Sequence, residues 1–328
     1  MFLLLFFAMA GTAFAWNDEG HMAIAYLAYE RLNPATRKRV DALLKLNPYY
    51  AKWEAAIPAG VSEAEARRMI FMIAATWPDQ IRTDPQYVDD GPNNGNTPDG
   101  SPASSQNIGY ADRLRHKYWH FVDIPYSQDG TALPPVPSPN VQTQIAAFRA
   151  ALGSSGSDDV KSYDLVWLEH LVGDVHMPLH AVTRVSADLP TGDSGGNTEL
   201  LCSAPCRDQL HAFWDRLVGS QSGIQPPQPA AAGGLPQANE AGELRSATSA
   251  ARSLPAADAS LAKEMSEAAW VRESFNSAKE YVYVPPVGSG PGPFTITTNY
   301  YEAARALAKK RVSLAGARLG NLLNRELK

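Results

Sequence analysis

The sequence predicts a mainly helical fold in a single domain, with long loops and one small β-hairpin. Segments with apolar residues at helical spacing alternate with stretches rich in proline, glycine, asparagine and serine. Candidate functional residues extend from 16 to 215, which argues against a domain boundary within that part of the chain. Hydrophobic residues make up 45% of the 328 positions and charged residues 19%, a composition typical of a globular protein with a sizeable core.

The first fifteen residues, MFLLLFFAMAGTAFA, have the features of an export signal. They are apolar, they end in the small-x-small pattern Ala-Phe-Ala, and they are too short to cross a membrane. We therefore predict that residues 1–15 are removed and that the mature domain, 16–328, begins at Trp16. The expected protein is secreted or periplasmic, monomeric and without a membrane anchor.

The helices are predicted in order from their periodicity and their start and stop signals. They span 17–32, 34–46, 62–76, 140–152, about 159–181, 211–217, 258–283 and 299–324. Ser62, with Glu65 three residues later, is a capping box at the start of the third helix.

Three other segments are predicted to lie outside the helices. Residues 84–109 form a long loop, and residues 197–210 form the hairpin. Residues 219–257 are rich in glutamine, proline, alanine and glycine, which indicates a surface excursion rather than core. Cys202 and Cys206 lie at the tip of the hairpin, where an exported protein is expected to form a local disulfide. The alternative, a pair of zinc thiolates, lacks a second cysteine pair.

The most informative stretch is LVWLEHLVGDVHMPLH at 165–180, which holds three of the seven histidines. His170 and Asp174 are four residues apart and so share one side of a helix. Apolar neighbours predict that this helix is buried, and buried imidazole and carboxylate groups need partners. A core helix whose histidines bond to backbone is one interpretation. The further histidine at His180 favours a metal site.

Four other segments offer the same kinds of ligand. They contribute His21, Asp79 in WPDQIR, His120 in WHFVD, and His211 with Asp215 in LHAFWD. Nitrogen and oxygen ligands of this kind suit zinc, and the set is too large for a single ion. The formal net charge of −5 argues against binding nucleic acid through a lysine and arginine surface. It does not exclude a phosphate substrate, because bound divalent ions add positive charge.

In this order, the motifs resemble those of the three-zinc single-strand-specific nucleases of the S-one/P-one type, which include the plant type I nucleases. The resemblance covers Trp16 to about Leu217 and, weakly, the C-terminal helix. It rests on Trp16 with His21, W-P-D-Q-I-R at 77–82, W-H-F-x-D at 119–123, H-x-x-G-D-x-H-x-P-L-H at 170–180, G-D-x-G-G-N at 192–197 and L-H-x-x-W-D at 210–215. It implies a helical fold of the phospholipase C and S-one/P-one nuclease type.

The resemblance also implies the ligands of three zinc ions. Those of the first match Asp79, His120, His170 and Asp174. Those of the second match His21, Asp174 as a bridge, and both the amine and the carbonyl oxygen of Trp16. Those of the third, more exposed ion match His180, His211 and Asp215.

The residues that would contact substrate are likewise implied by the family. Arg82 matches a phosphate-binding arginine, and with Asp79 and Asp174 it forms the predicted catalytic group. Phe121 matches an aromatic residue that stacks on a base, Asp123 a carboxylate that recognises the base edge, and Asn197 a polar residue of the nucleotide pocket. Outside these roles, His176 is expected to make a structural hydrogen bond and His116 to lie in a loop or at the surface. The role of Asp193 stays open.

The function implied is an exported zinc-dependent endonuclease. It would cut single-stranded DNA and RNA to 5′-phosphorylated products, and its substrates would extend to 3′-nucleotides. A zinc phospholipase C is the nearest alternative. That group usually has asparagine at the position of Thr183 and glutamate at that of Asp215, and both differences favour the nuclease. A non-catalytic exported zinc-binding protein is the second alternative.

Overall fold

The computed structural model describes residues 16–203, 208–224 and 240–327. Its helices are α1 (Asp18–Arg31), α2 (Pro34–Leu44), α3 (Tyr50–Ala55), α4 (Glu63–Ala74), α5 (Trp77–Gln80), α6 (Pro92–Gly95), α7 (Val141–Leu152), α8 (Asp158–Asp174), α9 (Leu210–Asp215), α10 (Glu240–Ser253), α11 (Glu267–Ser277) and α12 (Thr298–Glu326). Three-residue strands β1 (Pro125–Ser127) and β2 (Thr183–Val185) form a two-stranded sheet. The structure is mainly helical, as predicted.

Helix α8 is the centre of the fold. Every residue from Ser162 to Asp174 is buried, and the helix contacts α1, α2, α5, α7 and α12. Ser157 caps its start by accepting a hydrogen bond from the backbone N–H of Val160. The burial predicted for this helix is confirmed. Its side chains can therefore interact only with neighbouring elements or with a bound group.

The predicted span of 159–181 is too long at its C-terminal end. Helix α8 ends at Asp174, and a separate 3₁₀ turn, Pro178–Ala181, follows it. Pro178 cannot donate a backbone hydrogen bond, so the helical ladder does not continue through it. The turn lets His180 point in a direction different from that of His170.

Two predicted loop or hairpin regions differ from the structure. Part of 219–257 forms α10, whose Leu244, Ala247 and Ala251 are buried against α1, so the prediction of a surface excursion is wrong there. The sheet is parallel and joins distant segments, with Pro125 opposite Thr183. In the described residues of the predicted hairpin at 197–210, Leu200 and Gln209 form an antiparallel bridge.

The long predicted helix at 258–283 is shorter than expected. Helix α11 begins only at Glu267, where the Ser266 side chain caps it by accepting from the N–H of Ala269, and a π turn, Ala278–Val282, follows. Within the described residues, no helix combines the length and hydrophobicity needed to cross a membrane.

Candidate metal centre

Four buried tryptophans anchor the segments that carry the predicted ligands. Trp77, Trp119, Trp167 and Trp214 are all fully buried, and each lies within three residues of a predicted ligand. A buried tryptophan removes roughly 150–250 Å² from water, worth up to about 4–6 kcal/mol. The apolar core therefore fixes the backbone next to each ligand before any ion is considered.

Helix α8 contributes His170 and Asp174 to one buried group. The Nε2 atom of His170 lies 3.3 Å from Oδ2 of Asp174, as expected for residues one turn apart. The opposite ring nitrogen, Nδ1, contacts the carbonyl oxygen of Ala75 at 2.7 Å. A proton on Nδ1 satisfies that contact and leaves the lone pair of Nε2 facing the group.

Asp79 and His120 enter the same group from two other elements. Asp79 lies in α5, and its Oδ2 is 3.8 Å from His170 Nε2. His120 ends the 3₁₀ turn Lys117–His120, and its Nδ1 is 3.0 Å from both Asp174 Oδ2 and His170 Nε2. The structure thus brings together the four residues predicted for the first ion.

His21 reaches the group from α1 because α8 carries a glycine opposite it. The ring of His21 stacks on that of His170 with centroids 3.9 Å apart, and its Nε2 lies 3.3 Å from Asp174 Oδ1. A Cβ atom added to Gly173 would lie 2.9 Å from His21 Nδ1, so only glycine permits this approach. Asp174 therefore has one oxygen toward His21 and the other toward His120, which is the arrangement a bridging carboxylate needs.

Trp16 is fully buried beside this group. Its indole nitrogen donates to the carbonyl oxygen of Gly173 at 3.2 Å, and the next residue, Asn17, donates its N–H to the carbonyl oxygen of Asp215 at 3.1 Å. The start of the predicted mature domain is thereby held between α8 and α9. Coordination by its amine stays a prediction.

A second group contains the three residues predicted for the third ion. His180 and His211 face each other with Nε2 atoms 3.1 Å apart, and Asp215 Oδ1 lies 3.7 Å from His211 Nε2. The Nδ1 atoms of the two histidines contact the carbonyl oxygens of His120 and Gly195, each at 2.7 Å. Both rings are oriented by backbone, as in metal sites whose ligands are fixed by their outer neighbours.

The hydrogen-bond balance of these residues tests whether a cation fits. In the described part of the chain, several of their buried polar atoms have no hydrogen-bond partner. These atoms are both ring nitrogens of His21, Asp79 Oδ2, His120 Nε2, Asp174 Oδ1 and Asp215 Oδ1. Buried polar atoms are normally satisfied, and these imidazole and carboxylate atoms are ligands that zinc and similar ions accept. The residues present fit metal ions.

The protonation preferences agree with this fit. Burial, followed by the neighbouring His170, holds the pKa of His21 well below its usual value, and burial does the same to His120 and His180. Burial and then the charge of Asp79 raise the pKa of Asp174 well above its usual value. Neutral imidazoles are ready to donate lone pairs, and the crowded carboxylates gain most from a cation.

The predicted substrate-contacting residues lie around these groups. Arg82 donates to Asp79 Oδ1 at 3.1 Å. Phe121 and Asp123 follow His120 on one segment, and Val122 between them donates its N–H to the carbonyl oxygen of His180. Asn197 is held by a 2.7 Å hydrogen bond from its amide to the carbonyl oxygen of Ser194. Their roles toward a substrate stay predictions.

The glycine-rich loop at 192–196 has a supporting function that the sequence did not reveal. Gly195 has a positive φ of 62°, and its carbonyl oxygen orients His211. Asp193, whose role was open, is fully buried and accepts hydrogen bonds from the Tyr283 hydroxyl at 2.7 Å and the Arg184 N–H at 2.8 Å. Burial and the charge of Asp193 raise the pKa of Asp123 to about 7. Glycine and aspartate are common in turns, and this was the only available signal.

The predictions for the remaining histidines and for the cysteines are compared with the structure one by one. His176 makes structural contacts, to the carbonyl oxygen of Val172 and to Arg318, as predicted. His116 was expected in a loop or at the surface. It lies in a loop, directly before the turn Lys117–His120, but it is fully buried there between Asp90 and Asp112. Cys206 lies outside the described residues, and the disulfide with Cys202 stays a prediction.

Comparison with known proteins agrees with this geometry. The family model described as S1/P1 Nuclease matches residues 16–328. The chain is 25% identical over 327 residues to Endonuclease 4 of Arabidopsis thaliana, covering 95% of this chain and 89% of the relative. The matched segment spans α1 to α12 and both groups of ligands, and so the chain belongs to the S1/P1 nuclease family.

Proposed function

We propose that the protein is an exported endonuclease that uses three zinc ions to hydrolyse single-stranded DNA and RNA. The observation that carries the proposal is the pair of adjacent buried groups, one around His170 and Asp174 and one around His180 and His211. Within the described residues, ligand atoms of His21, His120, Asp79, Asp174 and Asp215 in these groups have no hydrogen-bond partner. Each proposed ion would have at least two charged or imidazole side chains from these groups.

Asp79, His120, His170 and Asp174 would hold the first ion. His21 and Asp174 would hold the second together with the amine and carbonyl oxygen of Trp16, and His180, His211 and Asp215 the third. When bound, zinc supplies Lewis-acid chemistry, because it acidifies a water molecule and offsets the charge that develops on a phosphate.

The remaining side chains would bind and orient the strand. Arg82, fixed by Asp79, would pair with the phosphate, since a guanidinium offers several donors in one plane. Phe121 would stack on a base, and Asp123 and Asn197 would recognise its edge. A duplex hides the faces of its bases, so this arrangement favours unpaired strands.

The products would carry 5′-phosphates, and the same site would release phosphate from 3′-nucleotides. We further propose that the protein is a monomer whose signal is cleaved after Ala15. The free amine of Trp16, with an ordinary pKa of about 7.7–8.0, could then lose its proton to a metal near neutral pH. Export and assembly of the metal centre would in this way be linked.

The test combines metal analysis with cleavage assays on protein that starts at Trp16 and on a variant with one residue added before it. The expected result is about three zinc per chain and cleavage of single-stranded DNA for the first protein. The extended variant should lose one ion and most activity. Full zinc and full activity in the extended variant would contradict ligation by the amine.

Two further outcomes separate the alternatives. Cleavage of phosphatidylcholine with intact DNA would indicate a phospholipase. Bound zinc with no hydrolysis of DNA, RNA or 3′-AMP would indicate a protein that only binds the metal.

A further inference from the structure

A cleft of about 300 Å³ lies between α10 and α12, apart from the two groups of metal ligands. Its end wall is the segment Leu217–Ser220, which follows α9. We refer to it as the α10–α12 cleft. It takes no part in the site described above.

The polar side chains of the cleft are hydroxyls and cations. Ser246, Ser249 and Ser253 lie on α10 at spacings of three and four residues, which places them along one side of that helix. Arg305 and Lys309 face them from α12, one turn apart. The Ser253 hydroxyl already donates to the carbonyl oxygen of Ala250 at 2.8 Å. The other groups can donate hydrogen bonds to an anion.

The two cations lack acidic partners. Among the described residues, the cleft lining contains no carboxylate, and neither Arg305 nor Lys309 takes part in an ion pair. The Nε atom of Arg305 is buried and has no hydrogen-bond partner in that same part of the chain. Like charges one turn apart on a helix repel each other by a few tenths of a kcal/mol, so an anion between them would be stabilising.

Glu19 is an acidic group beside the end wall of the cleft, and it is already engaged. Its carboxylate accepts hydrogen bonds from both the backbone N–H and the hydroxyl of Ser220. It is buried and holds the end wall in place. The cationic side of the cleft, formed by Arg305 and Lys309, is left for another anion.

The cleft is connected to the metal centre through short segments. Its wall begins two residues after Asp215, and Glu19, which anchors that wall, precedes His21 by two residues on α1. A polymer bound at the centre could extend to a site built on the same two segments.

We propose that the α10–α12 cleft binds a backbone phosphate of the strand being cleaved, remote from the scissile bond. This inference rests on the proposed nuclease function and extends it to the length of the substrate. The cleft would raise the affinity for long single strands and leave the chemistry at the metal centre unchanged. It would also add to the salt dependence of binding, by about 0.7 in the logarithmic slope for each phosphate contacted.

The test compares the double variant Arg305→Gln/Lys309→Gln with the wild-type protein. The KM for an oligonucleotide of about twenty nucleotides should rise roughly three- to tenfold at low salt. The kcat should be unchanged, and the KM for a dinucleotide should stay the same. The slope of log KM against log salt should become less steep for the long substrate.

Lys310→Gln is the matched control, because Lys310 is exposed on the same helix and does not line the cleft. An equal effect of this control would indicate a general field of charge and overturn the proposal. An unchanged KM in the double variant, or an equal rise for the dinucleotide, would also overturn it. If the double variant alters only inhibition by inorganic phosphate, the cleft is a free-phosphate site and the strand proposal is wrong.

A second variant protects the test against a folding defect. Ser249 is exposed, so Ser249→Glu should fold normally, as checked by thermal unfolding, and it places a carboxylate in the cleft. It should raise the KM for the long substrate in the same way, and normal binding in this variant would contradict the proposal. If wild-type protein cuts no DNA, the proposed function fails. Fluorescence anisotropy of the labelled oligonucleotide then decides separately whether the cleft binds it.

Discussion

The residues around His170 and those around His116 form two buried clusters of histidine and aspartate with opposite hydrogen-bond balance. In the first, ring nitrogens and carboxylate oxygens of His21, Asp79 and Asp174 lack partners within the described chain. In the second, His116 contacts Asp90 through Nδ1 at 2.8 Å and Asp112 through Nε2 at 2.9 Å. Residue types alone therefore do not identify a metal site. A group of buried ligand atoms without hydrogen-bond partners is the better indication.

The histidine pKa values of the two clusters are shifted in opposite directions, in agreement with their hydrogen bonding. Burial alone would lower the pKa of His116, but its hydrogen bonds to Asp112 and Asp90 outweigh burial and raise it. Burial holds the pKa of His21 and His120 well below the usual value. His116 therefore keeps its proton to a higher pH than an ordinary histidine, whereas His21 and His120 stay neutral to a lower pH.

Of the tests that distinguish the two clusters, removal of metal should have the largest effect. A chelator should abolish nuclease activity and lower the melting temperature by about 5–10 °C, because a tightly bound ion stabilises only the folded state. Calorimetry with and without chelator measures this, and added zinc should reverse it. His116→Gln protein should show the same chelator-induced decrease. A melting temperature that does not respond to chelator would contradict the proposed centre.

Exchange of one acid for its amide in each cluster should separate metal binding from stability. Asp174→Asn keeps the shape but removes the bridging charge, so zinc content should fall and kcat/KM should drop about a thousandfold. Asp112→Asn should cost about 1–3 kcal/mol of unfolding free energy. It should leave zinc content unchanged and activity within about threefold. Equal zinc content in the two variants would mean that the clusters do not differ as described.

The close approach of His21 to α8 should be sensitive to one methyl group. Gly173→Ala would place a Cβ 2.9 Å from His21 Nδ1, which displaces the ring and should reduce activity about 10- to 100-fold. Gly223→Ala is the control, because a Cβ there meets no atom of the described residues within 4 Å. The measurement is kcat/KM with zinc content. Normal values for Gly173→Ala would show that His21 is not held as a ligand.

The pH dependence of stability should have opposite signs in the two clusters. This is the smallest of the expected effects. The pKa of folded His116 is raised, so its stabilisation is complete below about pH 6.5 and is lost as the pH rises through the folded pKa. His116→Gln should therefore lose about 1–3 kcal/mol at pH 6 and less at pH 9. Acid should weaken the metal centre instead, because protons compete for the imidazoles. Denaturant unfolding at the two pH values, with chelator present, isolates the contribution of His116.

Much of the site could be predicted from the sequence, because its ligands lie in short motifs next to tryptophans. The grouping of His120 with His170, or of His180 with His211, depends on contacts between distant segments that no local pattern encodes. The burial of His116 was not predicted, because a single histidine in a polar stretch gives no periodicity. Helix α10 was missed as core, since its buried face consists mainly of alanine with one leucine. The parallel pairing of β1 with β2 is likewise a tertiary effect.

The hydrogen bond between His180 Nδ1 and the carbonyl oxygen of His120 links the two groups of ligands directly. The N–H of Val122 returns the connection to the carbonyl oxygen of His180. The position of each histidine therefore depends on the backbone of the segment that carries the other. Under the proposed function, we expect zinc bound at one group of ligands to change the zinc affinity of the other group.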